Sequence, residues 1–488
     1  MLLHALLTIL QGWRPAFSQR RSAHRAITQT LGSLLALGRR TLSRSLWALG
    51  NQQHDWSADY KLHSRADWNP DHLFQPIFEH GLPLCPGSFI PIAMDDTRIR
   101  KTGRKILSAF FQRDPLSPKF RFNLMWGLRF LHMSLLLPLY RSFENAPPRS
   151  IPIRFQEVPA LKRPGKKATE QQREAYRQAI KLYNLSTNTV AMLESVRASL
   201  DQAGMSQRPL LAVGDNSFCN QTVLRANLPR TEILVRARKD IRLCHRAPLG
   251  SRSFYATEKF TPQQVLHNES IPWQQANIFH GGQWRQVRFK EVSQIYWQTG
   301  SGKRVLRLLV VAPIPYSSGK EKRKYYRDPA FLLTTDTHTA AELLLQSYFD
   351  RWQIEVTHRE LKDTLGVGQA QLRSKRSVPR QPAMIVAAYS ALLLAGIKVF
   401  GPHRSAHFPA LPKWRRNAKR PSCLDLITVL RSEITQPNTS GKPLEIDIDC
   451  EKTGTRSRCR LTSPSKCPNS SGRRMASTHV SRRLNIQL

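Results

Sequence analysis

The sequence predicts an α/β protein, in which a sheet-forming region follows a helical segment and is interrupted by a β-rich stretch. Three observations predict this class. Between residues 86 and 240, apolar runs of strand length alternate with helical patterns, which is the order of an α/β sheet. Residues 1–85 show helical periodicity with glycine breaks and a basic face. Residues 241–338 hold short alternating runs rich in aromatic residues, before helical patterns return at 339–402.

The charge balance indicates a polyanionic partner. The 488 residues include 75 Lys and Arg against 34 Asp and Glu, a net charge of +41. Nucleic acid is the partner that this surplus favours, whereas an anionic membrane would usually require an amphipathic anchor or a juxtamembrane basic cluster. We therefore expect residues 1–85 to form a helical DNA-binding domain. No acidic residue precedes Asp55, but seven arginines do: Arg14, Arg20, Arg21, Arg25, Arg39, Arg40 and Arg44.

Within residues 86–240 the predicted order is strand, strand, strand, helix, strand, helix, strand. The first strand begins near Pro91, because proline is awkward inside a central strand, and it ends at the paired acids Asp95 and Asp96. The later elements are the strands "RKILSAFFQ" and "FNLMWGLRFLHMSLLLPL", a helix over 170–202, a strand over 208–218, a short helix in "NQTVLRANLP" and a strand in "TEILVRAR".

The two ends of the chain give further expectations. "MLLHALLTIL" predicts a helix rather than a signal peptide, since it lacks a positive n-region and a small-residue cleavage site. Thr339 and Glu342 have capping-box spacing, which predicts where the final helices begin. Residues 384–400 favour a buried helix over a membrane span. In the basic C-terminal region 403–488 we expect partial disorder, chiefly over 436–488. Seven scattered cysteines without a C-x-x-C pair favour free thiols in a reducing cytosol.

One stretch of the final helices gathers an unusual set of polar side chains. "YFDRWQIEVTHRELKDTLG" carries Tyr348, Arg351, Glu355 and Lys362, which a continuous α-helix at about 100° per residue would put on one stripe about 60° wide. Charged stripes are usually solvated faces. However, a carboxylate flanked by a guanidinium and an ammonium group is also suited to holding a metal ion beside a DNA backbone, since both cations bind phosphate.

A metal site needs further carboxylates, because Mg²⁺ requires several hard oxygen ligands. Asp95 follows one apolar strand and Asp215 follows another, "LLAVG". Each acid alone is also typical of a turn residue. Together with Glu355, in a strongly basic chain, they form a set that two metal ions could share to activate a water or a 3′-hydroxyl and to stabilise the leaving oxygen.

The order Asp, Asp, Glu with Tyr-x-x-Arg-x-x-x-Glu-x-x-x-x-x-x-Lys resembles the DDE insertion-sequence transposases that carry the Tyr-Arg-Glu-Lys signature. "MDDTRIRKTG" resembles their first-aspartate motif and "VGDNSF" their second. The resemblance implies a ribonuclease-H-like catalytic core with a β-rich insertion before the glutamate. It implies catalytic, metal-binding roles for Asp95, Asp215 and Glu355 with two Mg²⁺ ions (Mn²⁺ as a substitute), and contacts to transposon-end phosphates by Tyr348, Arg351 and Lys362.

Two details of the resemblance bear on particular residues. Family members commonly show Asp, one residue, then Thr or Ser, which selects Asp95 over Asp96, and strand alternation would turn only one of the pair towards the metals. Some relatives excise through a DNA hairpin and stack a flipped base on a tryptophan of the insertion. Trp273, Trp284 and Trp297 are the candidates for that position.

The resemblance implies excision and integration of an insertion sequence at its terminal inverted repeats. The partners would be those repeats and the target, both double-stranded DNA, with a homodimer bringing two ends together and no membrane involved. We expect a bacterial cytoplasmic, nucleoid-associated protein. The alternative is a catalytically inactive DNA-binding protein, either a decayed transposase or a repressor of transposition. A nuclease of similar core that cuts without joining is a third hypothesis.

Overall fold

The computed structural model gives the fold over most of the chain. The residues that it describes are 1–115, 117–118, 120–317, 324–415, 418–435, 445–446 and 459–460. The expected disorder of 436–488 falls outside them, apart from two short strands given below.

The N-terminal segment is helical, as predicted. Its helices are α1 (Leu2–Gln11), α2 (Arg20–Leu35), α3 (Leu42–Ala48), α4 (Ser57–Ser64) and α5 (Gln75–Gly81). These helices share one apolar core with the sheet and with a late helix, since Leu6 and Phe74 belong to the same buried cluster as Met133 and Leu392. The N-terminal helices therefore depend on the rest of the chain for their core.

Four strands follow, and they pair antiparallel: β1 (Ile90–Arg100), β2 (Phe110–Arg113), β3 (Leu124–Leu137) and β4 (Arg149–Glu157). The predicted order omitted β4. Its Pro152 cannot donate to a strand ladder, but β4 pairs only with β3, and the pairing shifts register between Met133 and Ser134, beside the proline. An edge position with a bulge is where a sheet accepts proline.

The predicted helix over 170–202 is wrong in one respect, because the chain forms two helices. They are α6 (Glu170–Leu182) and α7 (Leu185–Gln202). Asn184 separates them: its Oδ1 accepts hydrogen bonds from the backbone N–H groups of Ser186 (2.9 Å) and Thr187 (3.1 Å), which caps α7. None of the α6 residues is buried, whereas α7 packs against β3 and β4.

The parallel part of the sheet comes next. Its elements are β5 (Leu210–Gly214), α8 (Gln221–Arg225) and β6 (Thr231–Arg236). β5 pairs parallel with β1 and with β6, so a strand from the middle of the domain lies directly beside the first strand. This parallel pairing brings the end of β5 alongside the middle of β1.

Residues 241–338 are rich in strands, as expected from their alternating runs. They form α9 (Pro262–His267), β7 (Gln274–His280), β8 (Gln283–Ile295), β9 (Leu306–Val311), β10 (Pro315–Ser317), β11 (Lys324–Tyr326) and β12 (Ala330–Thr334). Four of these strands extend the main sheet, whose order is β2-β3-β1-β5-β6-β12-β9-β8-β7 with β4 also on β3. The β-rich stretch thus continues the core sheet by hydrogen bonding.

The final helices are α10 (Ala341–Asp350), α11 (Gln353–Arg359), α12 (Ser377–Phe400) and α13 (Cys423–Thr435), with a π-helical turn at Glu360–Thr364. The short strands β13 (Glu445–Ile446) and β14 (Cys459–Arg460) pair beyond them. The predicted capping box at Thr339 is wrong. α10 has no side-chain cap, and Asp336 Oδ1 accepts instead from the N–H groups of His338 (2.9 Å) and Thr339 (2.8 Å).

α12 is a core helix, as its composition predicted. Among the residues that the structure describes, it is the helix long and apolar enough to cross a membrane, and 78% of its apolar window is buried inside the protein. It packs against β4 and against α1, α5 and α13. Four cysteines of the described part of the chain, Cys85, Cys219, Cys244 and Cys423, are free thiols.

Candidate active site

The parallel pairing of β1 with β5 brings two aspartates together. Ala93 pairs with Val213, and the positions two residues further along each chain are Asp95 and Asp215. Asp215 directly follows β5, as predicted. The expectation that Asp95 ends its strand is wrong, since β1 continues to Arg100 and Asp95 stays paired with His132 of β3. Asp95 instead lies just beyond the end of the β1–β5 ladder, which leaves it beside Asp215.

The carboxylate of Asp215 is oriented by the turn that follows it. Its Oδ1 accepts from the backbone N–H of Ser217 (2.8 Å), and its Oδ2 accepts from the Ser217 hydroxyl (3.3 Å). Serine hydrogen bonds of this kind hold an aspartate in one rotamer at the start of a helical turn. Asp215 is half-buried, so one side of its carboxylate remains accessible.

Helix α11 brings the glutamate over these aspartates. Ile354 is fully buried and packs against Ala93 of β1 and Leu136 of β3. One turn later, the Thr357 hydroxyl donates to the Ser150 carbonyl of β4 (3.2 Å). These two contacts dock α11 across the face of the sheet that carries Ala93, and therefore also Asp95, because side chains two residues apart in a strand share a face.

The pKa shifts of Asp95 and Glu355 each include an effect of the Asp215 carboxylate. Burial and the Asp215 carboxylate raise the pKa of Asp95 to about 7, against an opposing effect of the Arg351 guanidinium. Burial also raises the pKa of Glu355, which Arg351 lowers and Asp215 raises. Asp215 thus interacts with both other acids, and the repulsion within the set favours any cation that binds it.

Asp96 is in a different environment from Asp95. Its Oδ2 accepts from Arg129 Nε of β3 at 2.8 Å, an ion pair in which Asp96 is 10% exposed. Strand alternation turns Asp96 to the face opposite Asp95. This geometry favours Asp95 as the member of the pair that faces Asp215.

The segment that carries the signature residues is not one continuous α-helix, which corrects the projection onto a single stripe. α10 ends at Asp350, tighter turns follow in which Ile354 N–H bonds Arg351 O and Glu355 N–H bonds Trp352 O, and the π-helical turn begins at Glu360. Because the number of residues per helical turn changes twice, a rotation of about 100° per residue does not describe the whole segment. The relative positions of its side chains have to be taken from their contacts.

Those contacts group Arg351 and Lys362 with the acids. Arg351 Nη2 lies 3.3 Å from Glu355 Oε1, and within the described part of the chain the buried Nε–H of Arg351 has no acceptor. Lys362 is half-buried, and burial lowers its pKa while the nearby Asp95 carboxylate raises it. Tyr348 packs with Phe349 (ring centroids 5.9 Å) against the apolar cluster under α10. Arg351 and Lys362 therefore flank the carboxylates, whereas Tyr348 lies on the preceding helix.

Two histidines that were not predicted from the sequence also lie at the site. His358 Nδ1 lies 3.8 Å from Asp95 Oδ2, and His358 Nε2 lies 2.8 Å from His132 Nδ1. The available signals were the position of His358 three residues after Glu355, on the same helical face, and the position of His132 in a long apolar strand. Neither has metal-ligand spacing in the sequence, so both read as ordinary core residues.

One tryptophan of the β-rich stretch is linked by side-chain contacts to the end of α10. Trp284 is 53% exposed and packs edge-on against Tyr140 (5.7 Å). The Tyr140 hydroxyl donates to Asp350 Oδ2 (2.7 Å), and Asp350 directly precedes Arg351. A half-exposed indole is therefore connected through Tyr140 to the residue before Arg351.

The donor chemistry of Asp95, Asp215 and Glu355 fits a divalent cation. All three offer hard carboxylate oxygens, and the upward pKa shifts of Asp95 and Glu355 come in part from the nearby negative charge that a cation would neutralise. Over the residues that the structure describes, no group of three or more His, Cys, Asp or Glu side chains is placed to hold a metal ion. Glu355 contacts Arg351 instead, with Arg351 Nη2 3.3 Å from Glu355 Oε1.

Residues 175–391 match a family model described as a transposase DDE domain. The matched segment includes Asp215 and Glu355, whereas Asp95 precedes it. A comparison with curated proteins gives no match. The family match supports a DDE-type transposase, an enzyme class that cleaves DNA and generally uses divalent metal ions.

Proposed function

We propose that this chain is an active DNA transposase that excises and integrates an insertion sequence at its terminal inverted repeats. One observation carries the proposal: Asp95 and Asp215 lie side by side where β1 passes the end of β5, under the helix that holds Glu355. The transposase DDE domain match over residues 175–391 supports the same conclusion independently of that geometry.

The catalytic core is proposed to be ribonuclease-H-like. The strands β4, β3 and β1 are antiparallel neighbours, and β5 and β6 follow parallel to β1 on its other side. This arrangement makes the first strand of the core and the strand that ends at Asp215 adjacent, as the resemblance requires. The specific assignment to the Tyr-Arg-Glu-Lys group rests on the four signature residues at their expected spacing.

Asp95, Asp215 and Glu355 would hold two Mg²⁺ ions, or Mn²⁺ in their place. When bound, such ions activate the attacking oxygen and stabilise the leaving oxygen of an in-line phosphoryl displacement. The chain's own contribution is to hold the carboxylates: Ser217 fixes Asp215, the Ile354 contact fixes the helix of Glu355, and β1 fixes Asp95. Substrate hydroxyl groups would enter from the half-exposed side of Asp215.

Arg351 and Lys362 are proposed to bind phosphate oxygens at the transposon end. The buried Arg351 Nε–H has no acceptor among the residues that the structure describes, and a buried donor left unpaired is costly. A phosphate oxygen would satisfy it, and Glu355 would then be released from its 3.3 Å contact with Arg351 towards the other carboxylates. Tyr348, packed on α10, would contact the same DNA strand from the preceding turn.

Trp284 is the tryptophan that we propose for stacking on an unpaired base. It is half-exposed and is connected through Tyr140 to the residue before Arg351. The rings of Tyr140 and Phe279 pack edge-on against its ring, with centroid distances of 5.7 and 5.5 Å. Trp273 is 36% exposed, but the Lys290 ammonium group lies over its ring (4.7 Å), and Trp297 packs against the main core. Base–aromatic stacking contributes about 1–3 kcal/mol per base.

The wider partners follow from the charge and from the reaction. The N-terminal helices expose Arg14, Arg21, Arg39 and Arg44, which are suited to phosphate contacts along double-stranded DNA. Such contacts would make affinity fall with salt by a log–log slope of about −0.9 per neutralised phosphate. Joining two ends requires two active sites, so we propose a homodimer in the synaptic complex, working at the bacterial nucleoid in the cytoplasm.

The test uses the full chain and double-stranded DNA that carries the inverted repeats flanking the gene. We expect Mg²⁺-dependent strand cleavage at the repeat ends and joining of the freed ends to a target plasmid. Glu355→Gln should still bind the ends but should not cleave them. End binding by the wild type without cleavage in Mg²⁺ or Mn²⁺ would favour the inactive DNA-binding alternative, and cleavage without joining would favour a nuclease.

A further inference from the structure

A buried chain of polar side chains leads from the interior of the sheet to the Asp95 carboxylate. Ser134 Oγ lies 2.8 Å from His132 Nε2, and His132 Nδ1 lies 2.8 Å from His358 Nε2. His358 Nδ1 then lies 3.8 Å from Asp95 Oδ2. Ser134 and His132 are fully buried, and the His358 side chain is 11% exposed. The chain is therefore shielded from solvent along most of its length.

The register of the sheet explains why these groups meet. Asp95 pairs with His132, and Ala93 pairs with Ser134. The side chains of Asp95, His132 and Ser134 therefore lie on the same face of β1 and β3. His358 reaches that face from α11, one turn after Glu355. The imidazole of His358 thus connects the helix of one site carboxylate to the strand of another.

The contact between the two histidines restricts where their protons lie. A nitrogen–nitrogen hydrogen bond needs one donor and one acceptor, so at least one ring is neutral. His132 has a partner at each ring nitrogen, His358 at Nδ1 and Ser134 at Nε2. A singly protonated His132 donates to one of these partners and accepts from the other, so the hydrogen bonds run in one direction and the group at the end of the series sets that direction.

The acidic end of the chain then selects one direction. As a cation-binding carboxylate Asp95 is ionised and only accepts hydrogen bonds, so the N–H of His358 belongs on Nδ1, facing Asp95 Oδ2. His358 Nε2 must accept from His132 Nδ1–H, and His132 Nε2 must accept from the Ser134 hydroxyl. The opposite direction would aim the Nδ1 lone pair of His358 at the carboxylate oxygen, which is repulsive.

We infer that His358 is a positioning residue for Asp95, and that His132 and Ser134 fix its tautomer and ring orientation. This inference rests on the proposed function, because Asp95 matters as a metal-binding carboxylate only there. The 3.8 Å separation is longer than a direct hydrogen bond, and such contacts often tighten only in the working complex. Groups that orient a metal-binding side chain typically change metal affinity or activity 10–100-fold when removed.

Two substitutions at one position test the donor directly. In His358→Asn the amide N–H occupies the place of Nδ1 and can still donate to Asp95, whereas in His358→Gln the amide reaches the place of Nε2 and cannot. We expect His358→Gln to weaken Mn²⁺ binding by the full chain about 10–100-fold. His358→Asn should stay close to the wild type. Equal losses in both variants, or no loss in either, would overturn the inference.

A second measurement needs neither metal nor activity. Imidazole ¹⁵N NMR of the metal-free full chain at about pH 9, above the Asp95 pKa of about 7, reports which nitrogen of each histidine is protonated, and the His132→Asn and His358→Asn spectra identify the two signals. We expect Nδ1–H on both rings. An Nε2–H tautomer at His358 would overturn the inference. A wild type that binds no Mn²⁺ would defeat the proposed function instead, and the tautomers would still decide the hydrogen-bond chain by themselves.

Discussion

Shortening Ile354 to alanine separates the packing of α11 from the chemistry of Glu355. Ile354 is fully buried and is the helix's apolar contact with Ala93 and Leu136. Removing its Cγ1, Cγ2 and Cδ1 carbons at about 0.8 kcal/mol each gives about 2.4 kcal/mol of lost transfer free energy. A residual cavity adds to this, since sheet backbones cannot close around it, so we expect a loss of about 3 kcal/mol in the free energy of unfolding.

The same substitution should reduce catalysis beyond its effect on stability. Once α11 is free to shift on the sheet, the adjacent Glu355 carboxylate loses its fixed position, and a displacement of about 1 Å can cost about 100-fold in rate. The assay is denaturant unfolding together with Mg²⁺-dependent cleavage of repeat-end DNA, measured where both proteins are folded. Ile354→Val, which should cost only about 0.5–1.5 kcal/mol, should retain most of the cleavage activity.

Leu345→Ala is the matched control, because Leu345 is also fully buried but packs under α10 in the second apolar cluster. It should lose a similar free energy of unfolding and cleave at nearly the wild-type rate per folded molecule. Ile354→Ala cleaving at the wild-type rate despite its lost stability would refute the reasoning. So would a Leu345→Ala variant that loses cleavage equally.

Three further outcomes are expected. Arg351→Ala should weaken repeat-end binding by about 1.5–3 kcal/mol, measured by fluorescence anisotropy, with Mn²⁺ binding retained; the converse would contradict the phosphate role. Burial raises the pKa of Asp350 to about 7, above its ordinary value of 3.8. Protonated Asp350 therefore contributes its full stabilisation below a pH of about 4, and this contribution is lost as the pH rises through 7. Asp350→Asn should therefore reduce the decline in unfolding free energy between pH 5 and 8, and an unchanged decline would refute this. Gly368→Ala should lower the melting temperature more than Gly204→Ala. Both glycines have positive φ (94° and 78°), but only at Gly368 would the new Cβ meet a neighbour, Ile99 Cγ2 at 2.0 Å. Equal decreases in melting temperature would argue against this contact.

Much of the fold was predictable, because periodicity reports burial along each element. The strands that end before Asp215 and at Arg236, the N-terminal helices and the buried α12 all follow from apolar patterns that the sequence displays. β4 was not predictable in the same way, since Pro152 argues against a strand unless the bulge and the edge position are known. The continuation of one sheet through residues 274–334 depends on pairings between distant strands, which local patterns do not encode.

The three acids could be proposed from the sequence, but their surroundings could not. Each acid alone is typical of a turn residue, so Asp95, Asp215 and Glu355 could be proposed only together, from their order in a basic chain and from the Tyr-x-x-Arg-x-x-x-Glu-x-x-x-x-x-x-Lys spacing around Glu355. The tight turn at Arg351 and the π-helical turn after Arg359 could not be proposed, because they come from docking on the sheet. His132 lies in an apolar run, where a histidine reads as a core residue until its partners are known.

Docking also explains why the N-terminal helices are not a separable fragment. From helical patterns with a basic face, the sequence predicts a helical DNA-binding domain over residues 1–85. In the folded chain the α1 side chains meet α12 and α13, and the N–H groups of Leu2 and Leu3 donate to the Glu433 carboxylate (2.9 and 2.8 Å). Any measurement of DNA binding by the N-terminal arginines therefore belongs in the full chain.

Mn²⁺ binding by the full chain, followed by electron paramagnetic resonance, tests directly whether Asp95, Asp215 and Glu355 form one metal site. The wild type should bind Mn²⁺, and Asp95→Asn, Asp215→Asn and Glu355→Gln should each lose most of that binding. The three variants should also lose Mg²⁺-dependent cleavage, with a double variant scarcely worse than a single one, because groups that act as a unit are not additive. Asp96→Asn, whose side chain pairs with Arg129 on the opposite face, should bind Mn²⁺ like the wild type. Wild-type Mn²⁺ binding that survives in Asp95→Asn but is lost in Asp96→Asn would contradict the account.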